Sequence, residues 1–315
     1  MPDRSLVTGG AGFIGSNLVR VLLERGSDVR ILDDFSTGRQ RNLEEVRADV
    51  EVVDGDVRDL ETVRRAMDGV RVVFHEAAIP SVARSVKDPL PSHEANATGT
   101  LHVLVAAHGA GVERVVYASS SSVYGNAPRL PVTEDVATAP LSPYGVSKLA
   151  GERYLGAFHA SYGLATVSLR YFNVFGPRQD PSSEYAAVVP RFVAATLDGR
   201  PARIFGDGEQ SRDFTYVGDV VAANLLAAEA PEAAWGRAFN VAYDDRHSVR
   251  QLLATIHSLL PGDHPDPVHD PPRAGEIRDS QADISLAREL LGYAPAHTFE
   301  EGVRATVEWF GSGGR

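Results

Sequence analysis

The N-terminal segment constrains the fold most, because it places a glycine-rich loop between two elements of opposite type. Residues 4–8 form a short apolar segment of strand length, and Leu18 and Leu22 lie at the spacing of one helix face. The loop between them fits the pattern GxGxxG from Gly10 to Gly15. Glycines at these positions allow a tight turn and let a pyrophosphate approach the start of the helix. The segment therefore predicts a dinucleotide-binding unit of a parallel sheet.

Further apolar segments of strand length alternate with helical patterns along the chain. They cover residues 28–32, 50–56, 70–74, 114–118, 165–170 and 238–242. Strands that alternate with helices predict an α/β fold with a Rossmann-type doubly wound parallel sheet. In such sheets, ligands bind beyond the carboxyl ends of the strands.

Acidic residues that follow two of these strands are candidate cofactor contacts. Asp33 and Asp34 come about 20 positions after the glycines, where an adenosine ribose is hydrogen-bonded. A carboxylate there repels a 2′-phosphate, so NAD is favoured over NADP, although Arg39 and Arg41 close behind weaken this preference. Asp56 ends the third strand and is a candidate adenine contact.

Tyr144 and Lys148 are the strongest candidates for chemistry. Their spacing of four places both side chains on one helix face, one turn apart. An ammonium near a phenol lowers its pKa from the ordinary value of about 10. The pair can then take a proton from an alcohol while a nicotinamide takes the hydride, and the segment from Ser119 to Ser122 can hold the alcohol oxygen. A tyrosine and a lysine at this spacing more often form a solvated surface contact. Here the glycine loop and the serine segment favour a catalytic role for the pair.

Composition narrows the class of protein. The chain has 315 residues, a net charge of −11 and no cysteine. The negative charge argues against a nucleic-acid partner, and no metal site is predicted. The absence of a long apolar run or a leader segment predicts a cytoplasmic protein without a membrane anchor. Only Lys87 and Lys148 among the 31 basic residues are lysines, which favours a specific role for Lys148.

A series of motifs, in order along the chain, carries a family resemblance. They are Thr8–Gly15, Asp33–Gly38, Gly55–Val57, His75–Ala78, Asn96–Thr100, Ser119–Gly125, Ser142–Lys148 and Arg170–Gly176. With these motifs the chain resembles the extended short-chain dehydrogenases/reductases of the NAD-dependent nucleotide-sugar epimerase/dehydratase family, and within it those that epimerise UDP-hexoses at C4. The resemblance extends to about Asp283. It implies a Rossmann-type sheet that binds NAD and a smaller α/β lobe that binds a UDP-sugar.

The resemblance also implies roles for individual residues. Tyr144 is the catalytic base, Lys148 is its partner and a ribose ligand, and Ser120 hydrogen-bonds the reacting sugar oxygen. The implied cofactor contacts are Gly9, Gly12, Phe13, Ile14, Gly15, Asp33, Asp34, Ser36, Thr37, Gly38, Asp56, Val57, Ala77, Ala78, Asn96, Ser119, Tyr144, Lys148 and Tyr171. The implied substrate contacts are Ser120, Ser121, Asn173, Val189, Arg212, Arg273, Glu276 and Ser280. Arginines suit the diphosphate because bidentate guanidinium–phosphate bonds are strong and directional.

The division of the chain follows from the same resemblance. Residues 1–176 and about 214–243 are expected to form the NAD-binding domain, and about 177–213 and 244–315 the UDP-sugar-binding lobe. The C-terminal segment from Leu286 to Phe310 is expected to be helical. Family members usually dimerise through a four-helix bundle, which implies a homodimer built on helices near 92–108 and 144–159.

Three types of activity compete for these residues. In a 4-epimerase, Tyr144 removes the O4 proton while a hydride leaves C4 and returns to the opposite face. A 4,6-dehydratase needs an Asp-Glu pair directly after the hydroxyl residue, and this chain has Ser121 and Ser122 there, so dehydration ranks low. A non-catalytic NAD-binding sensor is disfavoured by intact Ser120, Tyr144 and Lys148. A fourth activity, decarboxylation of UDP-glucuronate, stays open, but this chain has no glutamate near the serines comparable to the C5-proton base of such decarboxylases.

The choice of sugar is expected to depend on Ser280. By the resemblance, this residue takes a gatekeeper position, where a large aromatic side chain restricts the pocket to plain hexoses and a serine leaves room for an N-acetyl group. The expected substrates are UDP-glucose and UDP-galactose, with room for the N-acetylhexosamines. A uronic acid requires a cation near C6, and Arg84 and Arg178 are candidates, so a UDP-glucuronate 4-epimerase stays open as an alternative.

Overall fold

The computed structural model describes residues 4–182, 186–272 and 277–314. Its strands are β1 (Arg4–Thr8), β2 (Asp28–Asp33), β3 (Val50–Asp54), β4 (Val70–His75), β5 (Arg114–Ser120), β6 (Ala165–Tyr171), β7 (Arg203–Phe205), β8 (Ser211–Arg212), β9 (Arg237–Val241), β10 (His247–Ser248) and β11 (Val268–Asp270). Its α-helices are α1 (Phe13–Glu24), α2 (Leu60–Ala66), α3 (Val82–Lys87), α4 (Pro89–His93), α5 (Gly99–Ala110), α6 (Pro143–Tyr162), α7 (Val188–Leu197), α8 (Val217–Ala228), α9 (Val249–Leu259), α10 (Ser285–Leu291) and α11 (Phe299–Gly311).

Seven parallel strands form the central sheet, in the order β3-β2-β1-β4-β5-β6-β9. Helices cover both faces: α1 packs with α8 on one face, and α2, α5 and α6 pack on the other. The strand order reverses between β1 and β4, so a crevice forms beyond their carboxyl ends. The predicted Rossmann-type doubly wound sheet is therefore confirmed.

The central strands are apolar along most of their length because both faces of the sheet are covered. Every residue of β6 is buried, and β5 is buried except at its two ends. The edge strand β3 buries only its first residue, Val50. Continuous apolar segments are typical of the middle of a parallel sheet, which is why these strands are recognisable in the sequence.

A second apolar core lies outside the sheet, among α7, α9, α11 and β7. Phe192, Leu252 and Phe310 are fully buried in it. Its last helix, α11, begins with a capping box in which Thr298 and Glu301 satisfy each other's backbone N–H groups. The cap fixes where the helix starts and how its apolar face meets α7 and α9.

The C-terminal segment differs from the expected continuous helix. Helix α10 ends at Leu291, and Gly292, with a φ of 70°, turns the chain before α11 begins at Phe299. Residues 282–293 fall within the second expected segment of the lobe. Their side chains nevertheless join the core beneath the sheet, because α10 lies against α8 and β9.

The three described ranges contain neither a membrane-spanning helix nor a metal-binding cluster. None of the helices there has both the length and the apolar character needed to cross a bilayer. Within the same ranges, no group of three or more His, Cys, Asp or Glu side chains is arranged to hold a metal ion.

Candidate active site

A cavity of about 830 Å³ opens at the carboxyl ends of β1, β2, β4 and β5. Its lining comes from the glycine loop, the segments after β2, β3 and β4, the first turns of α6, and residues 178–180, 182, 186 and 187. The cavity coincides with the crevice where the strand order reverses, which is the ligand-binding position of doubly wound sheets.

The glycine loop forms the floor of this cavity because side chains do not fit beneath it. Gly9 has a φ of 70°, and a Cβ there would lie 2.7 Å from the backbone nitrogen of Ala77. A Cβ on Gly15 would collide with the carbonyl of Gly9. At Gly12 the nearest atom to a Cβ would be the Gly9 carbonyl oxygen at 3.0 Å, which is also a tight contact. The loop is thus pressed onto the sheet, and the start of α1 lines the cavity.

Asp33 holds the loop in place. Its carboxylate accepts hydrogen bonds from the backbone N–H groups of Ala11 (2.8 Å) and Phe35 (2.9 Å). A Cβ on Gly38 would lie 2.7 Å from an Asp33 carboxylate oxygen, so only glycine fits there. Burial raises the pKa of Asp33 despite the two hydrogen bonds, which favour the charged form. Asp34 is exposed and accepts from the Ser36 backbone and hydroxyl.

The predicted cofactor residues converge on the cavity, and all of them line it except Asn96. The Asn96 side chain accepts from the backbone N–H of Ile79 (2.8 Å) and donates to the Ile79 carbonyl (3.2 Å) and the Ser147 hydroxyl (3.1 Å). Asn96 therefore holds the wall made by Ile79 against α6. Its position supports the site from behind.

Tyr144 and Lys148 sit on the same side of α6, as their spacing predicts. Helix α6 begins at Pro143, after Ser142 caps it by accepting from the Gly145 N–H (3.1 Å), so Tyr144 lies in the first turn. Lys148 is only 2 % exposed and its Nζ donates to the Ala118 carbonyl (2.8 Å). The Tyr144 hydroxyl is hydrogen-bonded to Ser120, whose position at the end of β5 was predicted to meet the reacting oxygen.

The electrostatics of the pair differ from the sequence-based expectation. Burial raises the pKa of Tyr144 above its ordinary value; the Ser120 hydrogen bond opposes this shift, and the charge of Glu76 adds to it. Burial also lowers the pKa of Lys148 to about 8, with the charge of Glu76 opposing the change. The expected lowering of the Tyr144 pKa is therefore wrong for the protein alone, because burial and the charge of Glu76 outweigh the Ser120 hydrogen bond.

A buried ion pair supports the serine segment from below. Arg170 of β6 donates through two nitrogens to Glu152 of α6 (2.9 and 2.7 Å), and its third nitrogen donates to the Tyr124 hydroxyl (2.8 Å). Ser119 donates to the same Glu152 carboxylate (2.5 Å). The network ties β5, β6 and α6 together directly behind Ser120 and Tyr144.

Comparison with known proteins identifies the family of this chain. The family model for NAD dependent epimerases/dehydratases matches residues 5–242. The chain belongs to this family. It is 44% identical over 317 residues to UDP-glucose 4-epimerase of Mycolicibacterium smegmatis, covering 98% of each chain.

Two solved structures resemble this epimerase/dehydratase over nearly its whole length. One is UDP-glucose 4-epimerase of Thermotoga maritima with UDP-glucose, with a TM-score of 0.93, 39% identity and coverage of 98% of this chain and 99% of that chain. The other is UDP-N-acetylglucosamine 4-epimerase of Methanobrevibacter ruminantium in complex with UDP-N-acetylmuramic acid, with a TM-score of 0.93, 40% identity and coverage of 99% and 100%.

The cofactor of the epimerase/dehydratase is NAD. The described residues fit this group, because the start of α1 lines the cavity and Asp33 and Asp34 lie at the cavity edge where a ribose would be met. Arg39, expected to weaken the preference against a 2′-phosphate, is paired with Asp180. That carboxylate offsets the positive charge of Arg39.

The predicted substrate contacts of the epimerase/dehydratase are spread over the second core and its borders. Ser280 lies beside β8, since its N–H donates to the Ser211 carbonyl (3.1 Å), and neighbouring Arg212 donates to the Arg278 carbonyl (2.9 Å). Asn173, with a φ of 35°, donates to the Asp213 carbonyl (3.1 Å). The other described contacts are Ser121, in a short 3₁₀ turn after β5, and Val189, buried in α7. Arg273 and Glu276 lie outside the described residues.

Glu76 is a site residue that sequence reasoning missed. It lies in the His75–Ala78 motif, but only Ala77 and Ala78 were assigned a contact there. The Glu76 side chain lines the cavity with Tyr144 and Lys148 and influences the pKa of both. The sequence signal that could have identified Glu76 is its position, since it is an acidic residue at the carboxyl end of a buried strand, directly opposite the glycine loop.

Proposed function

We propose that this protein catalyses the NAD-dependent 4-epimerisation of a UDP-hexose. The observation that carries the proposal is that Tyr144, hydrogen-bonded to Ser120, lines the same cavity as the glycine loop. A proton acceptor, a hydroxyl that orients the sugar oxygen and a dinucleotide site are thereby combined in one crevice. Similarity to UDP-sugar 4-epimerases over nearly the whole chain supports the same activity.

In the proposed reaction, Ser120 and Tyr144 hold the sugar O4, and Tyr144 takes its proton. NAD, which the glycine loop, Asp33 and Asp34 would hold, would supply a reversible hydride acceptor for C4 and a positive charge that favours the phenolate. Lys148 adds its own charge in support of the phenolate, from a position fixed by its bond to the Ala118 carbonyl. The buried surroundings strengthen these charge interactions relative to water.

The neighbours of Ser120 argue against a 4,6-dehydratase. Dehydration requires an acid and a base that act on C5 and C6 of the sugar, and the residues directly after Ser120 are Ser121 and Ser122. A serine hydroxyl titrates far outside the physiological range and cannot serve as either group. The non-catalytic sensor is disfavoured because Tyr144 and Lys148 line the cavity and Ser120 is hydrogen-bonded to Tyr144.

The proposed substrates are UDP-glucose and UDP-galactose, with room for the N-acetylhexosamines. We assign the sugar pocket to the border between the two cores, where Ser280 lies beside β8 and Arg212. The UDP-sugar-binding lobe is proposed to be made mainly of 177–213 and 244–315, with Arg273 and Glu276 as further contacts. Arg84 and Arg178 line the cavity, so a UDP-glucuronate 4-epimerase is the alternative that the experiment below addresses.

Incubation with a panel of UDP-sugars, resolved by chromatography, tests the proposal. We expect interconversion of UDP-glucose with UDP-galactose and of UDP-GlcNAc with UDP-GalNAc. The variant Ser280→Tyr should keep the first activity and lose the second, because the larger side chain fills the space for the N-acetyl group. Absence of UDP-GlcNAc turnover by the wild-type protein would contradict the proposed gatekeeper role of Ser280. Turnover confined to UDP-glucuronate would favour the alternative.

We also propose that the protein is a homodimer. Large apolar side chains are exposed along α6 and the neighbouring helices. They are Leu90, Val105, Val146, Tyr154 and Tyr162. These residues lie on α4, α5 and α6, and α6 packs against both of the other helices. Exposed apolar side chains on adjacent helices are typical of an interaction site, and α5 and α6 of two subunits can form a four-helix bundle.

The dimer proposal is tested by molar mass in solution. Wild-type protein is expected at twice the chain mass of 33.8 kDa by light scattering. Val146→Glu places a charge in the proposed interface and should give the monomer mass. The matched control is Val268→Glu, which alters an exposed valine of β11 on the other lobe and should leave the dimer intact. A monomeric wild type would contradict the proposal.

A further inference from the structure

Glu76 is held in one orientation against the wall of the cavity. Its backbone N–H donates to the Thr8 carbonyl at the end of β1 (3.1 Å). One carboxylate oxygen accepts from the Tyr171 hydroxyl (2.8 Å), and the Asn224 amide donates to that hydroxyl (2.7 Å). Thr8, Tyr171 and Asn224 belong to β1, β6 and α8, so three elements hold this residue, and Tyr171 contacts the carboxylate directly. A residue that only lined the cavity would not need these hydrogen bonds.

Lys148 carries a charge that its direct contacts compensate only in part. Its ammonium donates to the Ala118 carbonyl (2.8 Å) and lies 5.0 Å from the centroid of the Tyr117 ring. A ring contact contributes about 0.5–2 kcal/mol, whereas burying an ammonium costs several kcal/mol. Glu76 lines the same cavity as Lys148 and Tyr144, and among the described residues its carboxylate is the one whose charge acts favourably on the ammonium.

We propose that Glu76 is a positioning residue of the hydride-transfer site, whose carboxylate keeps Lys148 in its ammonium form beside Tyr144. This inference rests on the proposed epimerase function, where the Lys148 ammonium supports the Tyr144 phenolate. Tyr171 and Asn224 belong to the same device, since they hold the carboxylate in place.

The charged groups that meet at Glu76 make this role consistent with the electrostatics of the site. Lys148 and Tyr144 face it from α6 and Tyr171 faces it from β6; His75, on its own strand, has its pKa lowered to about 3 by burial and is neutral. Burial raises the pKa of Glu76 to about 7, while the Tyr171 hydrogen bond and the Lys148 charge oppose the rise. The Glu76 carboxylate and the Lys148 ammonium each favour the charged form of the other.

Glu76 also carries a cost for the reaction, because its charge raises the pKa of Tyr144. The carboxylate thus favours the ammonium of Lys148 and disfavours the phenolate of Tyr144. A measurement of overall rate would mix these opposing effects. The protonation of Lys148 itself is the quantity that reports the proposed role.

The scarcity of lysine makes that protonation measurable. The chain has two lysines, so protein labelled with ε-¹³C lysine gives two lysine signals, and Lys87, which is exposed, is the internal reference. We expect Glu76→Gln to lower the titration midpoint of Lys148 by about one pH unit at matched NAD occupancy, as removal of a nearby opposite charge does. The Lys87 midpoint should stay unchanged.

Two further variants complete the experiment. Tyr171→Phe removes the hydroxyl that stabilises the charged form of Glu76, so it should shift Lys148 in the same direction by less; this variant decides the matter if Glu76→Gln does not fold. The matched control is Glu134→Gln, which neutralises another partly buried carboxylate, bonded to the Asn240 N–H, and should leave Lys148 unchanged. An unchanged Lys148 midpoint in the folded Glu76 or Tyr171 variants would overturn the proposal and leave Glu76 a structural tie. Because no substrate is present, the result stands even if the UDP-sugar panel shows no turnover.

Discussion

Tyr144→Phe is expected to abolish epimerisation while UDP-sugar binding is retained. The substitution removes the only atom that accepts the O4 proton in the proposed reaction and leaves the ring in place. Loss of a general base typically lowers the rate by about 10²–10⁴-fold, so kcat should fall by this factor with little change in the Kd for the UDP-sugar. Steady-state assays and calorimetric titration of the same preparation measure both quantities.

The control for this variant lies on the same helix. Tyr154→Phe removes a hydroxyl from a side chain that is 39% exposed on α6, away from the cavity lining formed by the described residues. It should leave kcat unchanged. Full activity of the Tyr144 variant would exclude Tyr144 as the base, and loss of UDP-sugar binding would indicate a damaged pocket.

Arg170→Met is expected to cause the largest loss of stability. Arg170 and Glu152 are each only 5% exposed, and removing the arginine leaves a buried carboxylate without its partner. Breaking a buried ion pair from one side costs about 3–5 kcal/mol. Urea unfolding followed by circular dichroism should therefore show a transition at clearly lower denaturant concentration than the wild type.

Two companion variants test whether the loss of stability comes from the unpaired buried charge or from the change of side chain itself. Arg304→Met breaks an exposed pair with Glu300 on α11 and should cost less than about 1 kcal/mol. The double variant Arg170→Met with Glu152→Leu removes both charges and should recover much of the loss. Equal effects of Arg170→Met and Arg304→Met would show that the buried network contributes no more than a surface contact.

The sheet was predictable from the sequence because its strands are buried on both faces. Segments 114–118 and 165–170 have the length of a strand and are rich in apolar side chains, and β5 and β6 extend them by only one or two residues. The C-terminal helices were harder to predict. The segment from Leu286 to Phe310 contains Gly292 and Pro295, both typical of a helix end, so the break between α10 and α11 was signalled in the sequence, whereas the packing of α10 on the sheet was not.

The candidate site was predictable where a motif fixes the backbone, and less so where three-dimensional packing decides. The glycine loop, Tyr144 and Lys148 meet at one cavity as their spacing and strand positions indicate. The direction of the Tyr144 pKa shift was not predictable, because it depends on burial by residues distant in sequence. The role of Asn96 was also not predictable, because Asn96 lies in a π-helical turn and its side chain contacts Ile79 and Ser147.

Isotope transfer tests the proposed hydride chemistry most directly. UDP-galactose carrying deuterium at C4 should give UDP-glucose that retains deuterium at C4, because the hydride is returned to the carbon it left. Mass spectrometry and ¹H NMR of the product locate the label. Label found at C6 of a 4-keto-6-deoxy product, label lost to solvent, or no epimer from any UDP-hexose would contradict 4-epimerisation by Tyr144 and bound NAD.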